Sequence, residues 1–192
     1  MKKIIIAEKN SVAQEYAKVL GVPGKVSQGY MENDSWIVTW AVGHLVTLSY
    51  PEKYKEELKE WKLETLPFIP EKYKYEAIAT TKRQFEIVKK LYNRPDVGAI
   101  YYAGDSGREG LYIQMLIRML AGHNAQAQEK VVWINSQTEE EILNGISQAK
   151  ALGEYKNMSD AGYMRGIADY LIGIPSYEVL YWWRSMGQAM DN

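Results

Sequence analysis

Between Val97 and Leu120 the chain changes character twice within a few positions. "VGAIYYA" is a run of β-branched and aromatic residues of the kind a buried parallel strand needs. Gly104 and Asp105 stop it, and from Gly110 onward "GLYIQMLIRML" is apolar almost all round, which predicts a helix buried against a sheet. The same transition opens the chain. "KKIIIAE" (2–8) reads as a strand, Asn10 and Ser11 are candidate caps, and Val12, Tyr16, Val19 and Leu20 recur at helical spacing until Gly21 and Pro23 stop them. Two such strand-turn-helix units exclude an all-helical bundle and predict an α/β architecture with an open, mostly parallel sheet flanked by helices.

The remaining segments fit that alternation. "SWIVTWAVG" (35–43) is strand-like and ends at Gly43. Residues 50–80, with Pro51, Pro67 and Pro70 and little periodicity, read as an irregular surface insertion. In "TKRQFEIVKKLYN" (81–93) Phe85, Val88, Leu91 and Tyr92 share a helical face, "KVVWIN" (130–135) reads as a further strand, and Thr138 with Glu141 forms a T-x-x-E capping box. A last helix is expected over about 158–172, ending at Gly173 and Pro175, followed by an aromatic tail, "YEVLYWWRSMG", with no evident partner. The organisation expected is one domain over 1–155, with the insertion at about 50–80, and a helix and tail over 156–192.

Composition narrows the chemistry. No cysteine is present, which excludes disulfides, zinc-thiolate sites and thiol catalysis. The only histidines are His44 and His123, so a resident metal would be held by oxygen, pointing to magnesium, with manganese as the alternative. No stretch approaches the ~20 apolar residues of a membrane span, and the N-terminal apolar run lacks a cleavage site, so the expected location is cytoplasmic. Net charge is -1, from 23 basic and 24 acidic residues, without the basic excess common in nucleic-acid binders. The mixed-charge stretches at 52–64 and 71–76 read first as solvated faces.

Topology turns these positions into a site. If the strands are parallel, Glu8 and Asp105 project from the same carboxyl edge of the sheet, where open α/β sheets bind their ligands. Glu109 follows near the helix start, with Arg108 beside it. Carboxylates gathered in this way repel one another and are stabilised by a hard cation. The intervening glycines permit close backbone approach, and free helical N–H groups with Arg108 suit a phosphate, so a phosphodiester or nucleotide is the natural substrate class. Lys9 either contacts that phosphate or faces solvent, and His44 is either a further group at this edge or structural; position alone leaves both open. An ordinary Asp-Ser-Gly turn beside exposed charges is the competing reading of the loop.

The blocks "IIIAEKNSVAQEYAKVLG", "GYMENDSWIVTWAVGHLVTL", "WKLETLPFIPEKYKY", "TKRQFEIVKKL", "AGDSGREG", "VWINSQTEEEI" and "MRGIADYLIGI" together resemble, in order, the N-terminal part of type IA DNA topoisomerases, nearest the topoisomerase III branch. The resemblance implies a TOPRIM (Rossmann-like) fold that binds magnesium. By position, it implies that Glu8 is the general acid or base of strand cleavage and rejoining and also a metal ligand. Asp105 and Glu109 correspond to metal-site acids, Lys9 and Arg108 to phosphate contacts, and His44 to the histidine of the family's G-H-L segment. Arg165, a DNA contact in this reading, and Asp169 match a helix leading to the next topoisomerase domain.

Departures qualify the likeness. The family pattern Asp-x-Asp-x-Glu-Gly-Glu has Gly107 in place of its second aspartate and Leu111 in place of its last glutamate, and Asn10 stands where proline is usual. None of the fifteen tyrosines occupies the context of the nucleophile, which such enzymes carry on a separate domain. The expected function is therefore to position magnesium and the scissile phosphate of single-stranded DNA within a topoisomerase (isomerase), this chain alone not relaxing DNA. Two alternatives remain at this point: a degenerate stand-alone DNA- or protein-binding module, and a small magnesium-dependent TOPRIM nuclease.

Overall fold

The computed structural model describes residues 1–60, 62–122 and 124–190, with side chains placed except at 27, 63 and 177–190. The chain divides into two compact units, Met1–Thr47 with Ala77–Gly162, and Leu48–Glu76 with Tyr163–Asn192.

The first unit is an α/β sandwich. Its strands are β1 (Lys2–Ala7), β2 (Tyr30–Glu32), β3 (Trp36–Trp40), β6 (Val97–Ala103), β7 (Gln128–Val131) and β8 (Lys150–Ala151), in the spatial order β2-β3-β1-β6-β7-β8. β3, β1, β6 and β7 run parallel, while β2 and β8 close the edges antiparallel. β4 (Val46–Leu48) and β5 (Tyr75–Ala77) form a separate two-stranded sheet. The mostly parallel sheet expected from the apolar runs is thus present, with two short antiparallel edges that carry too few residues to give a sequence signal.

Burial explains the strand composition. Ile4, Ile5, Ile6 and Ala7 are all fully buried, and successive residues of a strand face opposite sides, so β1 must be covered on both faces. Ile5 and Ala7 pack with Val12, Ala13 and Tyr16 of α1 (Asn10–Val19) and with Ile142 of α4 (Glu139–Ser147). α2 (Lys82–Tyr92) contacts β1, β3 and the helix α3 (Arg108–Ala121), burying Phe85, Val88, Leu91 and Tyr92 as the spacing predicts.

Several boundaries differ from the sequence reading. α1 begins at Asn10 and its N-cap is Lys9, which supplies no side-chain cap; the Asn10 side chain instead accepts a hydrogen bond from Gln14 Nε2 at 3.3 Å. β7 spans Gln128–Val131, and the Val132 N–H still donates to the Tyr102 carbonyl at 2.9 Å. The capping box is half formed: Thr138 accepts from the Glu141 N–H, while the Glu141 carboxylate accepts from the N–H of Asn135. The last helix, α5 (Lys156–Met190), runs through Gly173 and Pro175. An internal proline removes one i to i−4 hydrogen bond and crowds the carbonyl four residues back, a cost of about 3 kcal/mol that this helix carries. The side chains of the aromatic tail lie outside the described residues.

The second unit holds the irregular segment and much of α5. Its short-range order comes from aromatic contacts: Tyr54 meets Phe68 at 5.1 Å and Tyr73 meets Tyr170 at 6.2 Å, both edge-on, and the Tyr170 hydroxyl donates to the Ser49 carbonyl at 2.9 Å. In this proline-rich stretch without periodicity, ring packing supplements short 3-10 turns and the β4–β5 pairing.

Candidate functional site at the carboxyl edge of the sheet

Register fixes the site. Ala7 pairs with Ala103 on one side and with Trp40 on the other. The chain therefore leaves β1, β3 and β6 at one level, and the next residues, Glu8, Ala41 and Gly104, lie side by side. The Ala41 N–H donates to the Ala7 carbonyl at 2.8 Å, and Gly43, at φ +69, turns the post-β3 loop back so that His44 follows. Positive φ is where glycine replaces any other residue at least strain.

Glu8 and Asp105 come together as the parallel reading requires. Glu8 Oε2 accepts the backbone N–H of Asp105 at 2.7 Å. The Asp105 side chain is exposed, and α3 starts three residues later at Arg108, also exposed and without a side-chain partner among the described residues. Lys9 is exposed at the head of α1. Gly110 is a steric necessity of a different kind from a ligand cradle. A Cβ there would run into the backbone of Asp105, and one on Gly104 would lie 2.9 Å from the Gly110 carbonyl oxygen. The close approach is between the loop and its own helix.

Glu109 has a side-chain partner of its own. Its Oε1 lies 3.2 Å from Nε2 of His44, whose ring also packs edge-on to Tyr112 at 6.3 Å. The pair links the loop after β3 to the first turn of α3. Arg165 lies in the other unit and pairs with Asp169 at 3.6 Å along α5. No group of three or more acidic or histidine side chains converges to a metal cage among the described residues. The donors present, Glu8 beside Asp105, fit the looser mode in which magnesium keeps its waters and is held by one or two carboxylates together with substrate phosphate.

The two positions where the family pattern loses an acid have unlike surroundings. Gly107, the N-cap of α3, has extended backbone, φ -178 and ψ 172, and a Cβ there would meet nothing within 4 Å. Leu111 is buried, 3% exposed, and helps to line a small void with Gln114 and Trp133. One site is open, the other filled with hydrocarbon.

Three features escaped sequence reasoning. Ser106 Oγ donates to the Ile134 carbonyl at 2.6 Å and accepts the Ile134 N–H at 3.0 Å, pinning the post-β7 loop to the acidic loop. Gln114 is buried at 1% exposure, and neither polar atom of its amide has a partner among the described residues; the lone amide in an apolar helix was its only sequence signal. Beside Asp105 lies a cleft of about 490 Å³ between α1 and residues 134–137. Away from this edge, Glu129 accepts hydrogen bonds from Tyr92, Tyr102 and Arg118 at 2.6 to 2.7 Å.

Comparison with known proteins agrees with this geometry. Residues 3–136 match the model of the Toprim domain. The chain is 43% identical over 180 residues to DNA topoisomerase 3 of Staphylococcus epidermidis, covering 94% of this chain and 25% of that protein. It is 41% identical over 179 residues to DNA topoisomerase 3 of Bacillus subtilis, covering 93% of this chain and 24% of that protein. The chain thus spans about a quarter of the length of the curated relatives it matches. With a parallel sheet that brings Glu8 to the loop of Asp105, and a domain model matched from the first strand into the loop after β7, this chain belongs to the Toprim domain family.

Proposed function

We propose that this chain is the TOPRIM part of a topoisomerase III-like type IA DNA topoisomerase, positioning a magnesium ion and the scissile phosphate of single-stranded DNA for cleavage and rejoining in the cytoplasm. The contact between Glu8 and the Asp105 N–H carries the reading, because it puts a carboxylate and the acidic loop at one point of the sheet edge. In this reading residues 1–155 form the TOPRIM domain and 156–192 lead toward the other topoisomerase domains, one of which carries the nucleophilic tyrosine; this chain alone does not relax DNA.

Glu8 has one carboxylate oxygen committed to the Asp105 amide, leaving the other to take or give a proton at the 3′ oxygen of the broken strand. Lys9 and Arg108, both exposed, meet phosphate oxygens, with the N–H groups at the start of α3 adding to the attraction. Asp105, with Glu8, would hold magnesium, or manganese in its place, and Glu109 joins them on leaving His44. When bound, that ion supplies Lewis-acid stabilisation of the phosphate charge. His44 and Arg165 complete the DNA contacts.

Calorimetric titration of the chain with magnesium tests the reading, with single-stranded DNA binding followed by anisotropy in parallel. Magnesium binding that disappears in Asp105→Ala, and DNA binding strengthened by the ion, are expected; no magnesium binding by the unaltered chain would overturn it. A second reading, a DNA-binding module with a degenerate metal site, is favoured by one observation, the burial of Leu111 in hydrocarbon where the family pattern has an acid. Under it, DNA binds equally well in the presence of a chelator.

A further inference from the structure

The cleft beside the acidic loop has a lining that phosphate and metal chemistry leave unused. It is lined on its apolar side by Val12, Tyr16 and Ile134 and on its polar side by the run Asn135, Ser136 and Gln137. No lysine or arginine lines it, and the carboxylate that does is Asp105, so an anion would be repelled there. Burial also pushes the Tyr16 hydroxyl pKa far up, keeping that group neutral. The site therefore suits an uncharged, flat, polar-edged ligand. Its volume, about 490 Å³, falls within the roughly 300 to 1,000 Å³ typical of small-ligand pockets.

The amides of Asn135 and Gln137 are exposed and their side chains have no partner among the described residues. Each offers two N–H donors and a carbonyl acceptor in one plane, which matches the donor and acceptor edge of a nucleobase. Of the apolar lining, Ile134 is half-buried and is the side chain open to the base's face, Val12 and Tyr16 being buried beside it. Position links this to the loop: Ser106, the residue after Asp105, holds Ile134 by both its N–H and its carbonyl, so the cleft wall is tied to the acidic loop.

We propose that the cleft receives one unstacked base of the DNA strand whose phosphate lies at the Asp105 to Arg108 loop, with Asn135 and Gln137 reading its hydrogen-bonding edge. The proposal rests on the DNA-binding reading above and adds a base subsite to it. Single strands of this kind are held by backbone attraction together with contacts to exposed base faces.

The test compares the full chain's affinity for a fluorescein-labelled single-stranded oligodeoxynucleotide with that for a strand of equal length built from abasic residues, by anisotropy at fixed salt and magnesium. Tenfold or greater preference for the base-bearing strand is expected. It should fall at least threefold in Asn135→Ala/Gln137→Ala, while affinity for the abasic strand stays unchanged. Both positions are exposed, so the double variant should fold, and circular dichroism checks that it does. Equal affinity for the two strands, or a preference unaltered in the variant, overturns the base subsite while leaving DNA binding standing. Failure to bind either strand overturns both readings.

Discussion

Glu8 Oε2 and the backbone N–H of Asp105 stand 2.7 Å apart, joining the ends of two adjacent parallel strands through a residue separation of 97. Removing that acceptor leaves an amide N–H without its partner at the head of the acidic loop. Glu8→Ala should therefore lower unfolding free energy by about 1 kcal/mol, the net worth of a typical hydrogen bond, since the contact is exposed and water can replace the lost acceptor. Glu8→Gln keeps an acceptor and should lose less, yet abolish any proton transfer. Urea unfolding of the two variants separates anchoring from chemistry.

Gly107 and Leu111 make opposite predictions although the family pattern has an acid at both. Gly107→Asp meets open space on extended backbone and places a carboxylate at an uncapped helix start. It should stabilise the fold by about 0.5 kcal/mol and tighten magnesium binding. Leu111→Glu puts a charge where a buried apolar side chain stood, and should destabilise by about 3 kcal/mol or more. Thermal melts with magnesium titrations distinguish them.

Gln114 tests the value of a buried amide. With both polar atoms unpaired at 1% exposure, Gln114→Met should be neutral or stabilising by about 1 kcal/mol, since it removes a desolvated group while keeping volume. A clear loss of stability would mean that the amide is satisfied by an internal water in the adjoining void.

Glu129 gives the fold an acid-sensitive tie. Burial pushes its pKa up, but hydrogen bonds from Arg118, Tyr102 and Tyr92 outweigh that and hold the carboxyl below its ordinary value. A depressed folded-state pKa contributes stability above the unfolded carboxylate pKa and loses it as pH falls through the folded one. Glu129→Gln should destabilise by about 2 kcal/mol at neutral pH and flatten the acid limb of stability against pH, as read by urea unfolding at a series of pH values.

The parallel framework and the meeting of Glu8 with Asp105 were legible because apolar runs of strand length report two-sided burial, and parallel strands align their ends. The contact of Glu109 with His44 was not legible, because helix spacing says which residues share a turn but not that His44 would arrive from another loop. The Ser106 to Ile134 link was invisible for the same reason: it joins loops 28 residues apart, and no local pattern encodes it. The end of the last helix was misread because Pro175 and Gly173 are strong local stop signals, yet α5 runs through both.

The sheet ends, on both sides, in strands of three and two residues, β2 and β8, running against their neighbours. A strand that short presents few free amides and carbonyls, and at β8 the residues are Lys150 and Ala151, both exposed. Such borders are poor templates for another chain to add to. The four parallel strands, β6 with its acidic loop among them, are thereby bordered on both sides by short antiparallel partners that offer another chain little open ladder to extend.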